Sequence, residues 1–211
     1  MTLNDGEHWN TFYGRFRLSV PSQFCAMVAV GVHEGDQVVE FGCGNGRDAV
    51  CFARYGARVL ALDASEAAIG KARSDNESIP EEHLQFICAD VGNSEIIRAI
   101  VSNWRKSDRK SIYYARFLLH AIDENRQDNL LRTIHELMIS GDQLFLEFRT
   151  IHDAAAHKEF GQHYRRYIDH DEFRVLLSRY GFRVDYSVQG YGMAVFKGED
   201  AHVARFVASR T

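Results

Sequence analysis

The residues best able to do chemistry sit just beyond three short apolar runs. In Glu40-Phe41-Gly42-Cys43-Gly44-Asn45-Gly46, three glycines alternate with other residues between an apolar run and a helical pattern. Glycine lets the backbone turn sharply and lets a ligand approach where side chains would collide. A dinucleotide fingerprint would place its third glycine one residue later, where Arg47 stands, so the spacing disfavours a nicotinamide dinucleotide. Glu40, two residues before the first glycine, can accept hydrogen bonds from a cationic amino group, a role that a bound pyrophosphate would not want. Asp63 ends the second run, placed to hold both hydroxyls of a ribose. Asp90 follows the third, in Cys88-Ala89-Asp90-Val91, where a carboxylate can accept the exocyclic amine of adenine.

Regular elements must bring these acids together. Residues 9 to 30 carry apolar side chains at mixed helical spacing and predict one or two entry helices. Strands are expected at 37–41, 58–63, 83–89, 111–118 and 143–148, with helices between them: 48–55 ending at Gly56, Ser65 capping a helix to Arg73, one through Ile96 to Trp104, and one through Leu130 to Met138. A late helix carries Phe173, Leu176, Leu177 and Tyr180 and stops at Gly181. Two closing strands, 182–188 and 193–197, flank Gln189 to Gly192 at a spacing short enough for a hairpin. Such alternation predicts an α/β fold with a mostly parallel sheet, helices on both faces and one antiparallel strand.

With these residues in view, the chain resembles the class I S-adenosylmethionine-dependent methyltransferases, in particular their small-molecule members. The likeness rests on 40–46, Asp63 and Asp90 and runs through about residue 148. It implies a Rossmann-like sheet of order 3-2-1-4-5-7-6 with strand seven antiparallel. It also implies Glu40 near the methionine amino group, Gly42, Cys43 and Gly44 under the methionine moiety, Asp63 with Ala64 at the ribose, and Asp90 with Val91 at the adenine. Ala115-Arg116-Phe117-Leu118-Leu119-His120 is similar to the fourth-strand segment of those enzymes, which puts Arg116 with the cofactor and His120 over the sulfonium. Trp9 to Tyr13 looks like their entry helix, with Tyr13 closing over the cofactor.

The acceptor side is expected between strand five and the late helix, where 149–170 is rich in cations and aromatics. Ligands of open parallel sheets bind beyond the carboxyl ends of the strands, so this insertion would wall the pocket. Arg149, Arg165, Arg166 and Tyr167 are its candidate substrate contacts, since arginine grips carboxylate or phosphate bidentately. Methyl transfer needs chiefly alignment. A hydroxyl acceptor would also want a base, for which His120 and then His163 are the candidates; an acceptor that is already an anion would not.

Length and charge narrow the field. A chain of 211 residues suits one domain: cap helices to 35, a cofactor core 36–148, the insertion, then a closing helix and hairpin 171–211. A net charge of −4 gives no general attraction to nucleic acid. Cys25, Cys43, Cys51 and Cys88 form no CxxC pair and the histidines no HxH or HxxxH, so no metal is expected. No leader or membrane anchor is read, which fits the cytoplasm. A methyltransferase of a small molecule or glycan, most simply at oxygen, is the leading reading; a cofactor-binding regulatory or partner subunit without turnover is the alternative.

Overall fold

The computed structural model describes residues 20–106, 108–156, 164–196 and 198–211. Its strands are β1 Gln37–Phe41, β2 Arg58–Asp63, β3 Leu84–Cys88, β4 Ser111–Arg116, β5 Gln143–Arg149, β6 Phe182–Gly190, β7 Val195–Phe196, β8 Glu199–Asp200 and β9 Val203–Arg210. Its helices are α1 Gln23–Ala29, α2 Arg47–Arg54, α3 Glu66–Asp75, α4 Ser94–Trp104, α5 Glu124–Leu137 and α6 His170–Arg179. One sheet runs β3-β2-β1-β4-β5-β9-β6, with β9 antiparallel to both neighbours. This is the expected order.

The identity of the antiparallel strand differs from the expectation. Residues 193–196 do not return along β6; among the described residues Val195 and Phe196 pair only with Asp200 and Glu199 in a separate two-residue ladder. The strand between β5 and β6 is β9, whose Ala204, Phe206 and Ala208 face the core while Arg205 points the other way. A long alternating strand buries far more apolar surface than a two-residue ladder, and that decides the pairing.

The sheet separates two cores, and each strand's residues alternate between them. Val39, Phe41, Tyr113, Leu146 and Phe148 meet α4, α5 and α6 on one face. Val38, Val59, Ala61 and Tyr114 meet α1, α2 and α3 on the other. Side chains cap α1, α3, α4, α5 and α6: Ser22, Ser65, Asn93, Asp123 and Asp169 each accept a first-turn N–H. Only α2 lacks a side-chain cap among these helices, because its N-cap is Gly46, the last glycine of the turn after β1. Asp48, one residue into α2, accepts from the Ser22 amide at 2.8 Å, the Ser22 hydroxyl at 2.7 Å and the Tyr114 hydroxyl at 2.9 Å, tying α1 to the core.

Candidate active site

The turn after β1 folds as its glycines require. Gly42, Gly44 and Gly46 have φ of 72°, 54° and 77°, the left-handed region that costs other residues about 1–2 kcal/mol. A Cβ on Gly46 would fall 2.4 Å from the Phe86 ring, and one on Gly42 3.0 Å from Leu118. The turn is therefore pressed between β3 and the segment leaving β4.

The three acids and the turn converge at the carboxyl ends of β1, β2 and β3. Asp63 accepts the Gly44 N–H and the Ser65 N–H, both at 2.8 Å, and Ala64 adds a third main-chain donor. Its carboxylate thus fixes the glycine turn and keeps acceptor capacity for a ligand hydroxyl. Burial still pushes its pKa up, against those three donors. Glu40 is buried, accepts the Ala49 N–H, and has an Oε2 without a hydrogen-bond partner. Burial first, then the nearby Asp48, hold its pKa well above the usual carboxylate range. Asp90 accepts the Gly92 N–H at 2.9 Å and lies 3.5 Å from Arg126, at the rim of a cavity of about 370 Å³ beside Asn93; Val91 is buried behind it. Cys43 is buried within the turn. An unpaired buried carboxylate oxygen, a glycine-rich turn and two further acids in line fit a nucleoside with a cationic amino end.

Beyond β4 the chain leaves its strand earlier than expected. Phe117 has φ 57°, unusual for a bulky residue, which ends β4 at Arg116 and turns 119–121 into a short 3₁₀ segment. His120 is buried there; its Nδ1 accepts the Arg149 N–H at 3.2 Å and its carbonyl accepts the Arg166 N–H at 2.8 Å. A neutral imidazole whose Nδ1 accepts carries its proton on Nε2. Through these two bonds His120 joins the segment after β4 to β5 and to 164–168.

The insertion's arginines are largely engaged within the protein. Arg149 is buried, with Nη1 2.6 Å from Asp153 and Nη2 on Glu199. Arg166 reaches the carbonyls of Ile122 at 2.9 Å and Leu119 at 3.0 Å, and Gln127 at 2.6 Å. Both are clamps, and anion binding at either would have to displace these partners. Arg165 is partly buried beside Arg149, Tyr167, Glu199 and Asp153; burial and the Arg149 charge lower its pKa. Tyr13 and His163 lie outside the described residues.

Sequence reasoning missed Glu147, Arg205, Glu199 and Phe117. Glu147 is 1% exposed and joins Arg116 at 2.8 Å to Arg205 at 2.7 Å. Phe117 lies 4.1 Å from the Arg116 guanidinium and 5.1 Å from that of Arg149, and packs beside Met193, Ala194, Ala201 and Val203. One signal was available: an acid inside the apolar β5 run and an arginine inside the apolar β9 run each demand a partner.

A family model described as thiopurine S-methyltransferase matches residues 21–205. Among solved structures, an S-adenosylmethionine-dependent methyltransferase from Anabaena variabilis superposes with TM-score 0.73 at 16% identity, covering 99% of this chain and 96% of that one. The magnesium protoporphyrin IX methyltransferase of Synechocystis, with S-adenosylmethionine bound, gives TM-score 0.67 at 15% identity over 100% and 99%. A glycopeptide N-methyltransferase in complex with the same cofactor gives 0.66 at 16% over 91% and 95%. At these identities the structural likeness carries the fold. No curated protein matches the sequence significantly.

Proposed function

Because the chain belongs to the thiopurine S-methyltransferase family and is an S-adenosylmethionine-dependent methyltransferase, we propose that it methylates a small anionic molecule or glycan, most simply at oxygen. The carrying observation is the charge at the acceptor end. Among the described residues the guanidiniums of Arg116, Arg149, Arg165 and Arg205 gather there, with Glu147, Asp153 and Glu199 beside them. A cluster of guanidiniums suits an acceptor that carries negative charge.

Gly42, Cys43, Gly44, Glu40 and Asp63 would hold the methionine and ribose portions of the cofactor, with Ala64 beside Asp63 and Asp90 with Val91 at the adenine. The cofactor supplies a methyl carbon on a sulfonium, already activated for displacement by a lone pair. An acceptor that arrives as an anion needs no proton removed, whereas a hydroxyl would call on a base such as His120. The residues then have mainly to align the partners, the kind of catalysis that orientation alone makes large.

Among the described residues no helix is long and apolar enough to cross a membrane. We place the protein in the cytoplasm, and its net charge of −4 argues against nucleic acid as acceptor. Transfer of labelled methyl groups to a panel of small carboxylates, phenols, phosphonates and glycans tests the proposal. Turnover confined to neutral acceptors would overturn the anionic reading.

A further inference from the structure

Residues 192–195 follow β6 and take no part in the main sheet, yet they carry Met193 and Ala194, which pack with Phe117, Ala201 and Val203 at the acceptor end. Side chains from elsewhere grip the main chain of this segment. Gln23, the first residue of α1, accepts the Val195 N–H on Oε1 at 3.1 Å and donates from Nε2 to the Gly192 carbonyl at 3.4 Å. Arg205 of β9 donates from Nη2 to the Met193 carbonyl at 2.5 Å, and Asp200 takes the Gly192 N–H at 2.8 Å. Arg205 is itself held by Glu147 and lies against Phe24 and Met27 of α1. A carboxamide offers one donor end and one acceptor end, which is what a carbonyl and an amide three residues apart require.

The same helix is joined to the cofactor turn. Ser22 caps α1 beside Gln23, and its amide and hydroxyl both go to Asp48, one residue into α2. Gly46, the last glycine of the turn, is the N-cap of α2. From turn to segment the path is Gly46, Asp48, Ser22, Gln23 and then the main chain of 192–195. Hydrogen bonds are directional, so a displacement of the turn is passed to the first turn of α1. The links differ in strength. Ser22 and Asp48 are buried, whereas Gln23 is exposed and its two bonds compete with water. The clasp at Gln23 is therefore the link that opens first.

We propose that Gln23 is a positioning residue that clasps residues 192–195 onto α1, and that a bound cofactor, by ordering the turn after β1, closes this clasp and sets the apolar wall for the acceptor. This deepens the methyltransferase reading and rests on it. By linkage, the factor by which cofactor protects the clasp equals the factor by which the clasp strengthens cofactor binding.

Hydrogen exchange followed by NMR on the whole chain, with and without S-adenosylhomocysteine, reads the clasp at one proton, the Val195 amide. Without ligand, Gln23→Ala should speed its exchange about two- to tenfold, the worth of one hydrogen bond. Gln23→Glu keeps an acceptor oxygen for Val195 and should restore the protection, a rescue that general loosening of α1 would not show. S-adenosylhomocysteine should slow Val195 exchange about fivefold or more in wild type and leave Gln23→Ala unchanged. Calorimetry should then find S-adenosylhomocysteine weaker on Gln23→Ala by that same factor.

A Val195 amide that exchanges alike in wild type and Gln23→Ala, or that S-adenosylhomocysteine leaves unchanged, overturns the proposal. So does faster exchange throughout α1 in both variants, which would make Gln23 a support of the helix alone. A wild-type protein that binds no S-adenosylhomocysteine overturns the methyltransferase reading and this inference together.

Discussion

The cofactor half and the acceptor half of the site hold their residues by different means. In the first, Asp63 is fixed by the amides of Gly44 and Ser65, 19 and 2 residues away, and the glycine turn needs only backbone freedom. In the second, Arg149 meets Glu199 across 50 residues and Glu147 meets Arg205 across 58. A half built from turns and main-chain donors is specified locally. A half built from buried ion pairs is specified only when distant strands come together, and its stability depends on every partner being present.

The sharpest way to break this contrast is Glu147→Ala, which strands two buried guanidiniums. Denaturant unfolding should show a loss of about 3–5 kcal/mol. A loss under about 1 kcal/mol, the scale of an exposed pair, would mean that the acceptor half does not depend on the ladder. Asp63→Ala tests the other half and should weaken S-adenosylhomocysteine by about ten- to a hundredfold, the worth of a charge-assisted hydrogen bond. Unchanged affinity by calorimetry would remove Asp63 from the ribose site.

A smaller effect is expected at His120. Replacement by alanine should cost about 0.5–1.5 kcal/mol for the hydrogen bond its ring accepts from the Arg149 amide. Nitrogen NMR at neutral pH should find the proton on Nε2; finding it on Nδ1 would contradict the hydrogen bond from the Arg149 amide. The smallest effect is one of sign. Burial raises the Glu40 pKa, so the stability this residue allows is present at low pH and lost as pH climbs through its folded-state value. Glu40→Gln should therefore gain in melting temperature relative to wild type between pH 5 and pH 8. A difference that stays flat or falls across that range contradicts the raised pKa of Glu40.

The same contrast explains what the sequence made legible. Glycines at 42, 44 and 46 and acids at 40, 63 and 90 carry their geometry in their spacing, the alternation of elements gave a mostly parallel sheet, and the strand order followed from the family resemblance. The closing strand did not, because the glycines at 190 and 192 advertise a hairpin and Arg205 interrupts the apolar pattern of β9. Composition marked 149–170 as cationic but could not say that Asp153 and Glu199 take Arg149, or that main-chain carbonyls take Arg166. Gln23 shows the reverse case: one glutamine at a helix start says little until its partners at 192 and 195 are known.

The position of β9 also sets a schedule. During synthesis β1 to β5 can pair as soon as they leave the ribosome, since each finds its neighbour among segments already made. β5 and β6 cannot be joined until residues 203–210 have emerged and inserted between them. A nascent chain halted near residue 190 should therefore hold a protease-resistant cofactor half next to an acceptor half still open to cleavage, with Glu147 lacking one of its two arginines.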